Sequence, residues 1–449
     1  MFSYFPCSSQ VITGGYLHSL SICNDNTVQA WGDNTFGQVG NASTTNSNIP
    51  IQLSSLSGII AISGGGYHSI ALKNDGTVWA WGHNSSGELG CGNNTESHVP
   101  VQVSGLTGII AVNAGWDHCI ALKSDGTVWT WGKNNFGQLG NGSTTNSNIP
   151  IQVTSLTGIT AISAGYGYCL ALKNDSTICS WGCNAQGRLG NGTFTDSPIP
   201  VPVSNFTGII AITGEYYHSL ALKKNGTIWA WGDNSNGQLG NGTTTNSNIP
   251  LLINSLAGIR SISAGETFSL ALKNDSTVYA WGVNTSGQLG DGTNTNSNVP
   301  VQISSLTGIA AISAGGNHSF AFKSNGTVWA WGYGLQGQLG NGGNSNNNAP
   351  IQITGICIPL TTSVKSIEEK QSISVFPNPS SGIFQITLDN IQSENGLVKI
   401  YNVLGETIFS VSIVNPSTTI DLCDQPKGIY FIEIQTEQRS FTQKIIIDK

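Results

Sequence analysis

The sequence predicts an all-β chain: a seven-bladed propeller followed by a small immunoglobulin-like β-sandwich. Three observations predict it. A unit of 50 residues recurs seven times with no insertion or deletion. Each unit holds four short β-competent segments separated by turns rich in glycine and asparagine. After residue 355 the repeat stops and charge density rises, from 24 charged residues in 1–360 to 17 in the 89 residues of 361–449.

The repeat is marked by Trp31, Trp81, Trp131, Trp181, Trp231, Trp281 and Trp331, each followed by glycine, and by a proline at every fiftieth position from Pro50 to Pro350. In the unit 301–350, the run 307–312 is apolar and β-competent, and 319–323 is a second such run. Ser324-Asn325-Gly326 is a hairpin turn, because Asn-Gly tolerates the positive φ of a tight turn. Thr327 to Trp331 alternates apolar and small residues as a third strand. Ile351-Gln352-Ile353, just past Pro350, supplies the fourth. A single such blade cannot bury both faces, whereas seven around an axis can, so the Trp and aliphatic positions are read as inter-blade core. Repeat one lacks a preceding Pro-Ile-Gln-like strand and repeat seven is followed by one. The ring is therefore expected to close by sharing a blade between first and last elements.

Composition excludes several classes. The formal charge is -7 and only 9% of residues are charged, against about 25% in an ordinary soluble protein. No basic run exists, so nucleic acid is not an expected partner. No stretch approaches the roughly 18 uninterrupted apolar residues of a transmembrane helix. Nine cysteines, odd in number and irregularly spaced, argue against a disulfide framework and read as small buried hydrophobes. Cys119 and Cys169 share a slot in successive repeats, but a bond between them is not expected.

The candidate binding residues are the repeat histidines His18, His68, His118, His218 and His318; Tyr168 and Phe268 fill the slot in repeats four and six. A ring of imidazoles at one height suits a metal, an anion or a pH-sensitive surface. Phe can neither ligate nor donate, so the slot reads first as packing. No nucleophile elbow, His-Glu-x-x-His or phosphate loop is present, and no catalytic residue, metal or cofactor is expected. The repeated Asp75, Asp125, Asp175 and Asp275 read as turn residues. The densest chemical group is Tyr166, Tyr168, Tyr216, Tyr217 and His218.

The consensus "AGxxHSLALKxDGTVWAWGxNxxGQLGNG", clear over 214–242 and 314–342, closely resembles the regulator of chromosome condensation (RCC1) repeat over about residues 10–355. The resemblance implies a seven-bladed propeller. Some slots depart: Glu215 stands for glycine, Arg188 and Glu88 for glutamine, Cys91 and Asp291 for asparagine. Eukaryotic family members promote nucleotide exchange on a small GTPase, using face residues and a protruding insertion that seven equal units do not provide. Exchange activity, or an enzyme such as a lyase or hydrolase hosted on a propeller face, are the alternatives to the expected role, a scaffold binding a protein or glycan.

The domains read as 1–10, an N-terminal remnant; 11–355, the propeller; 356–372, a linker; and 373–449, a second domain. In the last, "VFPNPSSGIFQI", "VKIYNVLGETI", "KGIYFIEI" and "KIIIDK" occur in order and resemble the C-terminal sorting domain of the type IX secretion system. On that resemblance Pro377, Asn378, Pro379, Gly382, Gly405, Gly428, Tyr430, Lys444 and Lys449 carry the sorting signal. It implies a Bacteroidetes-type source, the type IX secretion machinery as partner, and a secreted or outer-membrane-surface location. Such cargo needs a signal peptide, and Met1 to Gln10 has neither a basic nor an apolar segment of useful length, so an N-terminal truncation is expected.

Overall fold

The structure is a computed structural model of the chain, describing residues 11–204, 206–357, 373–376, 378, 380–388, 396–402, 406–413, 417–435 and 440–448. The chain divides into two units, Met1–Thr362 and Ser363–Lys449. The expected remnant 1–10 and all of the linker beyond Cys357 lie outside the described residues.

In the first unit every repeat folds into its own antiparallel four-stranded sheet. Blade one is built from Ile12–Gly14, His18–Ile22, Val28–Gly32 and Ser47–Leu53. Blade seven is built from Ile309–Ala314, His318–Lys323, Val328–Gly332 and Asn347–Ile353. The first strands of neighbouring blades, seven and one included, lie side by side around the axis. Successive strands are antiparallel, so the connections alternate between two ends. Residues 15–17 and 33–46 of blade one, and their equivalents, form one face; residues 24–27 and 54–58 form the other.

Local chemistry explains the strands. In Val328–Gly332, Val328, Ala330 and Trp331 are buried while Trp329 is half-exposed, so most of the strand is covered on both sides. The turns on the second face close as expected: Asp75 Oδ1 accepts from Thr77 N at 2.9 Å and Thr77 Oγ1 at 2.6 Å, with Gly76 at φ +79°. The fourth strand differs from its expected bounds, since in blade seven it starts at Asn347 rather than after Pro350. A proline is tolerated there because this strand is the blade's outer edge, where its missing N–H breaks no ladder bond.

The core lies between blades. Leu270, Leu272 and Val278 of blade six pack with Ile309, Ile312 and Trp331 of blade seven, and the same arrangement recurs around the ring. All seven repeat tryptophans are 0% exposed, so each forfeits on the order of 3–5 kcal/mol if cut to alanine.

Two expectations are corrected at the seam. The ring does not close by a shared blade, because blades one and seven each consist of contiguous chain. Side chains close it instead: Ile12 and Trp31 pack with Phe320 and Phe322, and Trp31 Nε1 donates to the Gln338 carbonyl at 2.9 Å. Beyond the last strand the chain continues to blade one, where Cys357 N donates to Gln29 Oε1 at 3.0 Å and Gln29 Nε2 to the Gly355 carbonyl at 3.1 Å. There Cys23 and Cys357 form a disulfide across 334 residues. Spacing rules register pairs that are close in sequence, and this pair meets only because the ring brings its two ends together. Cys91, Cys119, Cys169, Cys179 and Cys183 take part in no disulfide.

The second unit is a β-sandwich of a three-stranded and a four-stranded sheet. Phe384, Ile386 and Ile420 from the first sheet meet Val398, Ile400, Tyr430, Ile432, Ile445 and Ile447 from the second in one core. Its strands include Ile383–Leu388 and Gly428–Gln435.

Candidate functional site

The histidine slot builds the joints of the ring. His18, His68, His118, His218 and His318 are buried. Each Nε2 reaches the next blade: His18 to Ser69 Oγ at 2.9 Å, His68 to Cys119 Sγ at 3.1 Å, His118 to Cys169 Sγ at 3.2 Å, His218 to Ser269 Oγ at 2.8 Å, and His318 across the seam to Ser19 Oγ at 2.9 Å. The serine proton is committed elsewhere, since Ser69 Oγ donates to the Gln38 carbonyl at 2.8 Å and Ser269 Oγ to that of Gln238 at 3.0 Å. The imidazole is therefore the donor, neutral and protonated at Nε2. The same carbonyls accept the next blade's tryptophan, as from Trp81 Nε1 to Gln38 at 2.8 Å. Burial lowers all five imidazoles, to about 3 for His18, His118 and His318 and about 4 for His218. The Nε2 atoms of these five residues point into the joints, away from solvent. Tyr168 does the same work, its hydroxyl donating to the His218 carbonyl at 2.7 Å, and Phe268 fills the slot by packing alone.

The residues just before this slot converge on the axis. Tyr16, Trp116 and Tyr216 come from blades one, three and five, which are not neighbours, yet their rings lie 4.7 Å (Tyr16–Trp116), 4.9 Å (Trp116–Tyr216) and 5.7 Å (Tyr16–Tyr216) apart. Only the centre of a ring allows this. Tyr67, Tyr166 and Tyr217 extend the patch, Phe36 flanks Tyr67 at 5.3 Å, and all these rings except Tyr216 are half-buried. A belt of backbone bonds holds the loops, including Tyr16 N to the Gly65 carbonyl at 3.1 Å and Gly316 N to the Gly15 carbonyl at 3.0 Å. Gly66, Gly115, Trp116, Gly165, Tyr166, Glu215 and Tyr216 line a shallow depression of about 10 Å³ that is open to solvent. This is far below the roughly 300 Å³ of a small-molecule pocket, so the patch is a shallow dish and not an enclosing cleft.

Charged groups ring the dish, most of them carboxylates. Burial raises the Glu215 carboxyl well above its ordinary range, and the Glu266 charge adds to this. Burial also raises Glu266, whose Oε2 accepts from Asn317 Nδ2 at 2.6 Å. Asp33 and Asp233 each accept from the glutamine of their own blade, Gln38 and Gln238, at 2.6 Å. Arg188 is buried, donates to the Tyr166 carbonyl at 3.0 Å and lies over the Tyr217 ring at 5.2 Å. Between blades two and three, His83, Glu88 and Asp117 bring one nitrogen and two oxygens within 4.8 Å of one another, and Lys133 Nζ lies 2.8 Å from Asp117 Oδ2. Of the dense group seen in the sequence, Tyr166, Tyr216 and Tyr217 belong to the dish; Tyr168 and His218 belong to the joints. Sequence reading missed Tyr16, Tyr67, Trp116, His83 and Lys133. The available signal was divergence: these slots differ from repeat to repeat, while the core slots hardly change.

In the second unit, Asn378 ties two segments together: its Nδ2 donates to the Lys444 carbonyl at 3.0 Å and its Oδ1 accepts from Ile446 N at 2.9 Å. Gly382 sits at φ +113° against Cys423, where a side chain would be strained. The Tyr430 hydroxyl donates to the Pro426 carbonyl at 2.6 Å, Gly428 opens a strand and Lys444 is exposed. Pro377, Pro379, Gly405 and Lys449 lie outside the described residues.

Seven equal blades with a diversified axial face, followed by a separate sandwich, define an all-β propeller carrying a C-terminal module. The RCC1-like domain family matches residues 105–375, and RCC1 repeats match 25–72 and 75–122 as well as 11–38 and 59–88. The chain belongs to the RCC1-like domain family. Residues 374–448 match the secretion system C-terminal sorting domain, which marks the protein for export to the cell surface or beyond. Among solved structures, human WBSCR16 aligns with a TM-score of 0.67 at 22% identity over 73% of this chain and 94% of that one. Prp20p of Saccharomyces cerevisiae aligns with a TM-score of 0.66 at 23% identity over 80% and 90%. Both likenesses concern the fold. An ulvan lyase of Nonlabens ulvanivorans, NLR42, is 31% identical over 93 residues, 20% of this chain and 17% of that protein. The chain thus spans about a sixth of that curated relative. No helix among the described residues is long and apolar enough to cross a membrane.

Proposed function

We propose that this exported propeller is a binding scaffold whose axial dish takes a neutral glycan chain. The supporting observation is where the repeats differ. Core slots are nearly uniform and the turns of the second face repeat as Asn/Ser-Asp/Asn-Gly/Ser-Thr with few exceptions, whereas the axial slots read Tyr16, Gly66, Trp116, Tyr166, Tyr216, Glu266 and Gly316. Fold maintenance alone asks the same of all seven blades, so divergence confined to one face marks the surface used. Half-buried Tyr and Trp rings offer flat apolar platforms for the C–H faces of sugars, and the surrounding amides and carboxylates accept and donate to hydroxyls. Asp33, Asp117, Asp233 and Glu266 outnumber Lys133 and Arg188 around the dish, which disfavours an anionic polysaccharide. Affinity electrophoresis of the full chain through gels cast with neutral polysaccharides tests this. Trp116→Ala is expected to abolish retardation and leave unfolding unchanged within about 1 kcal/mol, as for a half-exposed ring. No retardation on any neutral glycan, with capture of a protein ligand at the same face, turns the reading to protein binding.

A second reading, glycan cleavage on the same face, is favoured by the raised Glu215 carboxyl beside the Glu266 charge and Tyr216, since an acid kept protonated next to a carboxylate suits glycosidic chemistry. New chain ends released by the wild type but not by Glu215→Gln would establish it. Release of the sandwich unit after export, as opposed to its retention at the surface, is read from the mass of the mature chain.

A further inference from the structure

We propose that His83, Glu88 and Asp117 form a site for a divalent cation of zinc type at the joint of blades two and three. The site stands apart from the glycan reading. In blades one and five, the glutamine of this slot donates through Nε2 to the aspartate of its own blade, Gln38 to Asp33 and Gln238 to Asp233, each at 2.6 Å. In blade six the same glutamine instead reaches the following blade, Gln288 Nε2 donating to Asn317 Oδ1 at 3.2 Å. The end of this side chain therefore sits between two positions, one in its own blade and one in the next.

In blade two those positions hold His83 and Asp117, and the glutamine is replaced by Glu88. Glu88 Oε2 accepts the Ser86 N–H at 2.9 Å, as the glutamine oxygen does in sister blades. Its Oε1 takes the place of the amide donor. That oxygen is buried without a hydrogen bond, on a side chain that is 0% exposed. It lies 3.4 Å from His83 Nδ1, and the three candidate ligand atoms fall within 4.8 Å of one another. An acceptor has thus replaced a donor at a point that already faces a second carboxylate. Asp117 is paired with the Lys133 ammonium, so Glu88 Oε1 is the buried oxygen that faces only the His83 imidazole, and a cation held by all three would compensate it.

The donor set fits. One nitrogen and two oxygens suit a borderline divalent ion, and bonds of about 2.0–2.2 Å in a tetrahedron set ligand atoms roughly 3.3–3.5 Å apart. His83 Nδ1 and Glu88 Oε1 are at that separation. Asp117 must leave Lys133, now 2.8 Å away, and move inward; both side chains are partly exposed, at 15% and 32%, and have room to do so. With three protein ligands a fourth position stays open toward solvent on the face that carries the dish.

The test is calorimetric titration of the chelator-treated full chain with Zn²⁺, with thermal unfolding as a second readout. One equivalent of Zn²⁺ and a higher melting temperature are expected for the wild type. Glu88→Gln restores the residue of five sister blades and so keeps the fold; it is expected to weaken binding by more than the roughly 10–100-fold that loss of an outer-shell partner costs. Lys133→Met removes the competing ammonium and is expected to tighten binding. Asp233→Asn, in blade five, is expected to leave it unchanged. Absence of saturable Zn²⁺ binding, or one equivalent bound equally by Glu88→Gln, overturns the proposal and leaves the four side chains as ion pairs that fasten two blades.

Discussion

His118→Phe separates the burial of the joint histidines from the rest of the fold. Phe268 occupies the same slot in blade six, so the joint accepts a phenyl ring, and the partner left behind is Cys169, a weak acceptor. In the wild type, burial holds His118 at about 3, below its unfolded value near 6.5. The folded state thus keeps His118 neutral while the unfolded chain takes up a proton as pH falls below 6.5. Stability from this residue is complete above pH 7, declines through the window from about 6.5 to 3, and changes no further below it. Between pH 7 and 4.5 the linkage amounts to roughly 2–3 kcal/mol for this one histidine. The assay is urea unfolding of the full chain followed by tryptophan fluorescence; all 12 tryptophans lie in the propeller unit, so the signal reports it alone. His118→Phe is expected to lose some stability at pH 7 and to be relatively better off at pH 4.5, its loss on acidification being smaller than that of the wild type by roughly 2–3 kcal/mol. Parallel pH dependences for the two proteins would refute the assignment of His118 as a neutral inter-blade donor.

Cys357→Ser opens the seam disulfide; for a loop of 334 residues the chain-entropy relation gives about 6 kcal/mol, and a reductant should lower the wild-type urea midpoint while leaving the variant unmoved. Gly115→Ala places a methyl 2.7 Å from the Gly165 carbonyl oxygen and against the His118 ring, which should cost about 1–3 kcal/mol by the same assay. Asn378→Ala removes both bonds to the terminal strand of the sandwich, and fractionation should show more chain retained inside the cell and less on its surface or in the medium.

Most of the fold was legible because it is written seven times. Trp31 and its six equivalents, the Asn-Gly and Asp-Gly turns and the period of 50 each point to the same blade, and repetition cancels local ambiguity. The seam was not legible, because Cys23 and Cys357 are related only by closure of the ring. The histidine slot was visible and its purpose was half visible: Phe268 signalled packing, but the chain from imidazole to serine to carbonyl needs two strands and a loop from two blades to be placed. The dish was hidden for the opposite reason. Tyr16, Trp116 and Tyr216 are a hundred residues apart, and no periodicity rule shows that one slot of a repeat lies on the axis. Glu88 and Arg188 stood out as departures from the repeat, and both lie on that face.

Six of the joints connect consecutive repeats, so a chain supplied from its N-terminus can make them in order as each new blade arrives. The seventh cannot form until blade seven is complete, with Cys357 adding its disulfide behind it, and until then the protein is an open arc with two raw sides, Trp31 with Ile12 at one end and Phe320 with Phe322 at the other. Those sides match each other, so during that interval two arcs can capture one another in place of closing singly. The sorting domain begins at residue 374, behind the last closing residue. A chain cut short before its ring can shut also lacks its export address, so the order of segments alone keeps incomplete arcs off the export route.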